Sequence, residues 1–287
     1  MKNHFFISML AAAALLGGLT ACNGKLDKAP RADQVPENAV RITASIGNPF
    51  AATRSMPLGT EEEQGKFNVG DEIFVSTPGL QRATYRFDGT VWVPKEGKYL
   101  LWKEDMERFN AYYPAESGEN PFSYVHPTDQ SSTEKIAKAD LMSVGLDQAK
   151  TKEALHFTMY RKTTRLIVEI AGFKSEFPGD AKVENVRFLN KANASAPLRT
   201  YIPYAKGEGK TGSTYTVLVP WDAAHNTISL EVGGKTMTAK LSEFTYDSGQ
   251  SYTYRLTVGK EKLETTEVTV SDWTGSAVIP GGEAKAN

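Results

Sequence analysis

The chain has 287 residues, of which 40% are hydrophobic and 23% are charged, and its formal net charge at pH 7 is -1. This length provides for two ordinary domains with a sizeable core in each. Basic residues are interspersed with acidic ones, which argues against nucleic acid as a partner, because a phosphate backbone needs a concentrated basic face. The 24 glycines and 14 prolines favour a β protein rich in turns.

The cysteine and histidine content limits the chemistry that the chain can support. Its single cysteine, Cys22, excludes an intrachain disulfide and a zinc cluster built on cysteines. The four histidines include no i, i+4 pair and have no neighbouring acidic motif, so we predict no metal site. The sequence also lacks the Gly-x-Ser-x-Gly motif of a nucleophile elbow, and no serine–histidine–acid set stands out. We therefore predict that the protein is not an enzyme and has no cofactor.

The amino-terminal segment is predicted to be a targeting signal. An apolar run from Phe5 to Leu19 is too short and too weakly flanked to be a membrane-spanning helix. The run ends in Leu19-Thr20-Ala21-Cys22, which resembles a bacterial lipobox, where small residues precede the cleavage point and a cysteine follows it. We predict a lipoprotein signal peptide at residues 1–21 and a lipid on Cys22. The alternative is an ordinary secretory signal followed by an incidental cysteine.

Residues 22–37 are predicted to form a flexible tether. They are polar, include Pro30 and Pro36, and show no hydrophobic periodicity. Burial of an acyl chain in a bilayer gains about 0.8 kcal/mol per methylene, so a cysteine carrying several chains, palmitate among them, would be held stably. The tether would then hold a folded body away from a membrane surface.

The folded part is predicted to open with a strand over residues 40–46. Its side chains alternate between two faces, with Val40, Ile42, Ala44 and Ile46 on one and Arg41, Thr43 and Ser45 on the other. Gly47-Asn48-Pro49 then interrupts the ladder, and the chain continues through Thr53-Arg54-Ser55 into a loop rich in proline, glycine and glutamate. A strand followed by an accessible basic residue is a candidate for a removable strand.

Strand patterns recur through the rest of the chain, whereas helical periodicity is confined to two short candidates at residues 103–108 and 132–141. Turn residues separate the strands at intervals of about eight to fifteen residues, which is typical of β-sandwiches. The further predicted strands are 72–76, 84–87, 91–93, 98–102, 108–113, 154–170, 183–189, 213–219, 227–232, 235–241, 252–258 and 267–270.

The pattern changes face within the central segment 154–170. Leu155, Phe157 and Met159 alternate on one parity, whereas the later apolar residues Leu166, Val168 and Ile170 occupy the other. A regular strand cannot change faces in this way, so we predict a bulge or a short turn within residues 161–164. We predict one antiparallel β-sandwich at residues 38–172 and a second at residues 173–287.

Several local motifs, taken in order, resemble those of one known family. They are Gly70-Asp71-Glu72-Ile73, the hairpin from Tyr85 to Trp92, Tyr99-Leu100-Leu101-Trp102, Phe109-Asn110-Ala111-Tyr112-Tyr113-Pro114, Asp140-Leu141-Met142, the segment from Phe157 to Val168, Gly249 to Leu256, and Val270-Ser271-Asp272-Trp273. Together they are similar to the fimbrillin-like (Mfa-like) proteins of Bacteroidetes. Phe157 to Val168 matches the last amino-domain strand of that family, although Arg161 stands where the family frequently has a histidine.

The resemblance implies an all-β fold of two transthyretin-like sandwiches with short helices in loops. It also implies export as an outer-membrane lipoprotein and assembly with other pilin subunits into type V pili. In the family's mechanism an arginine-specific protease cuts after the first strand, that strand departs, and a carboxy-terminal strand of the next subunit replaces it. On this sequence the cut would follow Arg54, and the donor strand would lie near residues 267–279.

Other interpretations stay open at this point. Arg54 is also consistent with an ordinary exposed loop arginine. The four tryptophans, Trp92, Trp102, Trp221 and Trp273, could line a sugar-binding platform, although aromatic residues on alternating strands favour a core position. The protein could be a fimbrial subunit that also binds a host or bacterial surface ligand, or a surface lipoprotein that binds glycan or protein without polymerising. A glycan-degrading enzyme would need an exposed cleft with two convergent carboxylates.

Overall fold

The computed structural model describes residues 35–47, 66–79, 81–120, 124–191, 195–220, 225–241, 246–260, 263–272 and 275–279. The strands of the first half are β1 (Ile42–Ile46), β2 (Glu72–Ser76), β3 (Arg82–Phe87), β4 (Trp92–Pro94), β5 (Met106–Tyr113), β6 (Met142–Ala149) and β7 (Leu155–Arg161). Those of the second half are β8 (Thr163–Phe173), β9 (Glu184–Lys191), β10 (Arg199–Tyr201), β11 (Tyr204–Lys206), β12 (Thr214–Pro220), β13 (His225–Val232), β14 (Lys235–Lys240), β15 (Gln250–Val258), β16 (Leu263–Asp272) and β17 (Gly275–Ile279). Two short helices, α1 (Ala115–Glu119) and α2 (Thr133–Ala139), and a 3-10 turn at Lys95–Gly97 lie in connections.

The first half is one seven-stranded sheet in the order β1-β7-β6-β5-β2-β3-β4. Residue alternation decides which face is buried: in β5, Phe109, Ala111 and Tyr113 are buried, and the residues between them are partly exposed. Every strand contributes to a single core, which includes Ile42, Ile73, Tyr85, Trp92, Phe109, Met142 and Phe157.

The second half is a sandwich of two sheets. A four-stranded sheet, β10-β9-β13-β14, and a six-stranded sheet, β11-β12-β8-β15-β16-β17, share one core. Phe188 of β9 and Leu230 of β13 meet Leu166 of β8 and Tyr254 of β15 in that core. The fold class is therefore all-β, as predicted. We predicted antiparallel sandwiches, but the pairings of β1 with β7 and of β15 with β8 are parallel. Hydrophobic alternation shows which face of a strand is buried and does not show whether its neighbour runs parallel or antiparallel.

The chain crosses from the first half to the second at Lys162. β7 ends at Arg161 and β8 begins at Thr163, so the predicted change of face is the point where the chain leaves one sheet and enters another. β8 pairs with β12 on one side and β15 on the other, and its first six residues are all buried. It therefore lies in the second half, and not in the first, where we predicted it.

One of the two predicted helices is present. α2 lies within residues 132–141, and the hydroxyl of Ser132 caps it by accepting a hydrogen bond from the amide of Lys135 at 3.3 Å. The helix predicted at residues 103–108 is wrong, because this segment leads into β5. Burial of alternate β5 residues outweighs the weak helical propensity of so short a stretch.

The connection that carries α2 packs against the second half. Gln130 is fully buried, and its side chain bonds the backbone of Leu218 in both directions, with Nε2 donating to the carbonyl and Oε1 accepting from the amide, each at 2.7 Å. Ile136 and Ala139 of α2 pack on the side chain of Leu218. The side-chain amide of Gln130 thus makes the two hydrogen bonds to Leu218 that the backbone of a neighbouring strand would otherwise make.

A buried ion pair lies where the two halves meet. Nε of Arg161 donates to both carboxylate oxygens of Asp140, at 3.1 and 3.0 Å, and the hydroxyl of Thr163 donates to the same carboxylate at 3.5 Å. The side chains of Arg161 and Asp140 are only 7% and 13% exposed. Since Asp140 follows α2 and Arg161 ends β7, the pair ties the connection to the crossover.

Asp140→Ala is expected to lower the free energy of unfolding by about 3–5 kcal/mol, because it removes the carboxylate that neutralises the buried guanidinium of Arg161. Urea denaturation followed by tryptophan fluorescence measures this loss. Asp147→Ala is the matched control, since Asp147 pairs with Arg108 at 2.7 Å on the surface, where the two side chains are 64% and 51% exposed. The control should lose no more than about 1 kcal/mol. Equal losses in the two variants would contradict the structural role of the buried pair.

Candidate functional site

The first strand, β1, lies at an edge of the seven-stranded sheet and pairs in parallel with β7. Ile42 and Ile46 are only 3% and 4% exposed and pack into the core, whereas Thr43 faces solvent. The two faces predicted for this strand are confirmed. Its core-facing residues lie beside those of β7 in the register Ile42 with Leu155, Ala44 with Phe157 and Ile46 with Met159.

The residues just before β1 bridge two parts of the first half. The amide of Val40 donates to the carbonyl of Leu100 at 2.8 Å, and the carbonyl of Arg41 accepts from the amide of Leu155 at 2.8 Å. The hydroxyl of Tyr85 donates to the carbonyl of Val40, also at 2.8 Å. The consecutive residues Val40 and Arg41 thus bond to opposite neighbours, so this segment closes the gap between β7 and residues 100–102.

The solvent-facing side of β1 is held by a histidine of β7. His156 lies between two hydroxyls, with Nδ1 3.0 Å from Oγ1 of Thr43 and Nε2 2.9 Å from Oγ of Ser45. Sequence reasoning missed this contact, because the pairing of β1 with β7 joins residues more than 110 positions apart. These exposed hydrogen bonds exchange readily with water, so they fix the register more than they add stability.

Glycine ends β1 for a steric reason. The amide of Gly47 makes the last bond to β7, donating to the carbonyl of Met159 at 2.7 Å. A Cβ at this position would lie 2.8 Å from the ring of Tyr160 and 2.9 Å from Cγ2 of Thr158. A larger residue here would therefore require these β7 side chains to move.

The carboxy-terminal strands belong to the second half. β16 pairs with β15 and β17, whereas β17 pairs with β16 alone and lies at the edge of its sheet. β17 and β1 are each five residues long. The predicted donor region, residues 267–279, thus includes an edge strand of the same length as β1.

The two residues predicted for modification, Cys22 and Arg54, lie outside the described residues, as do Trp221 and Trp273. Trp92 and Trp102 are core residues, only 8% and 4% exposed, so they form no sugar platform. Within the described ranges, no three histidine, cysteine or acidic side chains are grouped closely enough to hold a metal ion. The helices found in those ranges are too short or too polar to cross a membrane.

Ile42→Ala is expected to lower the free energy of unfolding by about 2–5 kcal/mol, because it leaves a cavity in the core where β1 closes the sheet. Urea denaturation measures the loss, and Arg41→Ala is the neighbouring control. Arg41 is exposed, so its removal should change stability by no more than about 0.5 kcal/mol. A neutral Ile42→Ala variant would show that β1 contributes little to the first core.

Comparison with known proteins finds a family match over most of the folded part of the chain. A family profile described as fimbrillin-like matches residues 60–273, about three quarters of the chain. No curated protein sequence is detectably similar.

Two solved structures illustrate the similarity in fold. A proposed cell adhesion protein from Bacteroides uniformis is 16% identical, with a TM-score of 0.53 over 82% of this chain and 98% of that one. Another from Bacteroides ovatus is 14% identical, with a TM-score of 0.55 over 86% of this chain and 97% of that one. At these identities the similarity shows the fold alone. The profile match over most of the chain shows the family, and the protein belongs to the fimbrillin-like family.

Proposed function

We propose that the protein is a subunit of a cell-surface fimbrium, a type V pilus, and that it polymerises by exchanging β1 for a strand of the next subunit. Membership in the fimbrillin-like family supports the fimbrial role. The observation that carries the exchange step is the position of β1, a short edge strand that closes the first core between β7 and residues 100–102. Its removal leaves unpaired backbone and open apolar pockets together.

The proposed trigger is a cut after Arg54. Such a cut separates β1 from the body of the chain, so that only noncovalent contacts retain it. Each fully buried aliphatic side chain contributes about 1.5–3 kcal/mol, and Val40, Ile42 and Ile46 are all buried. The emptied groove is therefore a strong acceptor, because an incoming strand restores both the backbone bonds and the side-chain burial.

β17 is the proposed donor strand. Among the described strands it pairs with β16 alone, so it can leave its own sheet after the loss of a single ladder, whereas β16 would have to break two. Its sequence, Gly275-Ser276-Ala277-Val278-Ile279, places alanine and isoleucine at the same spacing as Ala44 and Ile46 of β1. The donor can therefore present a similar apolar pair to the groove.

The proposed lipid on Cys22 gives the same cut a second consequence. Cys22 and the tether at residues 22–37 precede Arg54, so cleavage would release the body from its lipid as it releases β1. The uncut protein would be held at the outer membrane, and the cut protein would be free to join other pilin subunits. Anchoring and polymerisation are then alternative states of one subunit.

Arg54→Ala is expected to abolish both processing and polymerisation, because it removes the proposed protease site. In fibres sheared from native cells, wild-type protein should begin at Ser55, as read by amino-terminal sequencing. The variant should stay cell-bound and monomeric. Arg54→Lys, which keeps the positive charge, should also fail if the protease is specific for arginine. Wild-type fibres whose subunits begin at Cys22 would refute the processing step, and wild-type protein that stays monomeric would favour a non-polymerising binding lipoprotein.

Cys22→Ala is expected to eliminate labelling of the protein with radioactive palmitate, because the proposed acyl chains are attached at this residue. The same cells fractionated into membrane and soluble material should show loss of the protein from membranes. Arg54→Ala is the matched control and should keep the label. Palmitate incorporation into the Cys22→Ala protein would contradict the assigned lipidation site.

A further inference from the structure

A cleft with a volume of about 770 Å³ opens where the two halves of the molecule meet. Tyr112 of β5 lines it from the first half, Arg199 of β10 lines it from the second, and Lys162 lies at the crossover between them. Tyr124 and His126 belong to the connection that leads to α2. Its volume is in the range of small-molecule binding sites.

Two positively charged side chains, Lys162 and Arg199, line the cleft, and the carboxylate of Glu116 in α1 lies near enough to Tyr124 to act on its hydroxyl. Lys162 and Arg199 are exposed, and within the described part of the chain neither side chain forms an ion pair or hydrogen bond. The described residues that line the cleft include no aspartate or glutamate. The neighbouring Asp140 is bonded to Arg161, so its charge is compensated. The described lining therefore offers two cations to an anion, and it contains no pair of carboxylates of the kind that glycoside hydrolysis uses.

Hydrogen bonds hold the rings on one wall of the cleft in place. The hydroxyl of Tyr124 donates to the carbonyl of Lys138 at 2.8 Å, and Nε2 of His126 donates to the carbonyl of Ala139 at 3.1 Å. Burial, together with the charge of Glu116, raises the pKa of Tyr124 to about 12, so its phenol stays protonated at neutral pH. This wall is formed before any ligand arrives, which reduces the entropic cost of binding.

The rest of the lining is largely apolar. Leu141, Met142 and Pro220 contribute to it, and Val125 at the same site is 82% exposed. The ligand that fits this combination has an anionic group for the two cations and a less polar face for the tyrosine rings.

We propose that this junction cleft binds an anionic saccharide, with the carboxylate of an acidic sugar contacting Arg199 and Lys162 and the ring of the sugar packing against Tyr112 and Tyr124. A guanidinium matches a carboxylate through two parallel hydrogen bonds, and an ammonium adds a point charge. The C–H face of a sugar suits an aromatic ring. If the protein is a fimbrial subunit, as proposed above, acidic saccharides are the class of surface ligand that this site would bind. The geometry of the site does not depend on strand exchange.

Titration of the purified full-length chain with 3′-sialyllactose and with trigalacturonate, each compared with lactose, tests the proposal by calorimetry. At least one acidic probe should bind at least tenfold more tightly than lactose, and its binding should weaken as salt is added. Arg199→Gln and Lys162→Gln should each weaken that binding at least fivefold. Arg82→Gln is the matched control, because Arg82 is an exposed β3 arginine outside the cleft, and it should leave binding unchanged.

Three outcomes would overturn the proposal: no binding of either acidic probe at millimolar concentration, equal binding of lactose, or unchanged binding in Arg199→Gln. Acetate that competes as well as the acidic sugars would show an adventitious ion only. Thermal unfolding checks that the variants are folded. Because polymerisation is read separately from sheared fibres, failure of the saccharide site leaves the strand-exchange proposal intact, and the reverse also holds.

Discussion

The closure of the first core by residues 38–47 is the constraint on which the rest of the first half depends. A seven-stranded sheet with one core needs its edges to meet or be covered, since exposed edges leave both backbone and apolar side chains open to water. Val40 and Arg41 bond to opposite neighbours, and Ile42 and Ile46 fill the space behind them. This short segment therefore forms backbone hydrogen bonds to both of its neighbours and also fills the core. Its loss would leave backbone groups unpaired and apolar side chains exposed.

The crossover at residues 161–163 determines how the second half is placed. Arg161 is buried against Asp140, Lys162 is exposed, and Thr163 begins a buried strand, so three successive residues face three different environments. The buried pair ties the connection after α2 to this crossover, and the intervening Lys162 lines the junction cleft. Lys162, the residue between the end of β7 and the start of β8, thus supplies a positive charge to the cleft.

Much of the fold could be predicted from local pattern, but its long-range pairings could not. Alternation correctly placed Ile42 and Thr43 on opposite faces, and the change of parity after Met159 marked the crossover. Alternation reports which face is buried and says nothing of the neighbouring strand, so β8 was predicted in the wrong half and the contact of His156 with β1 was missed. The cleft cations Lys162 and Arg199 come from separate segments, and only the folded chain brings them together.

Under the proposed mechanism, cleavage rather than affinity decides which strand fills the groove. Before the cut, β1 belongs to the same chain as its groove, and its effective concentration is on the order of millimolar. A donor strand from another subunit at about micromolar concentration competes at a thousandfold disadvantage, or about 4 kcal/mol. A strand of equal fit would thus be excluded. The cut removes this advantage without altering a contact in the groove, so one peptide bond can keep the subunit monomeric until it reaches the surface.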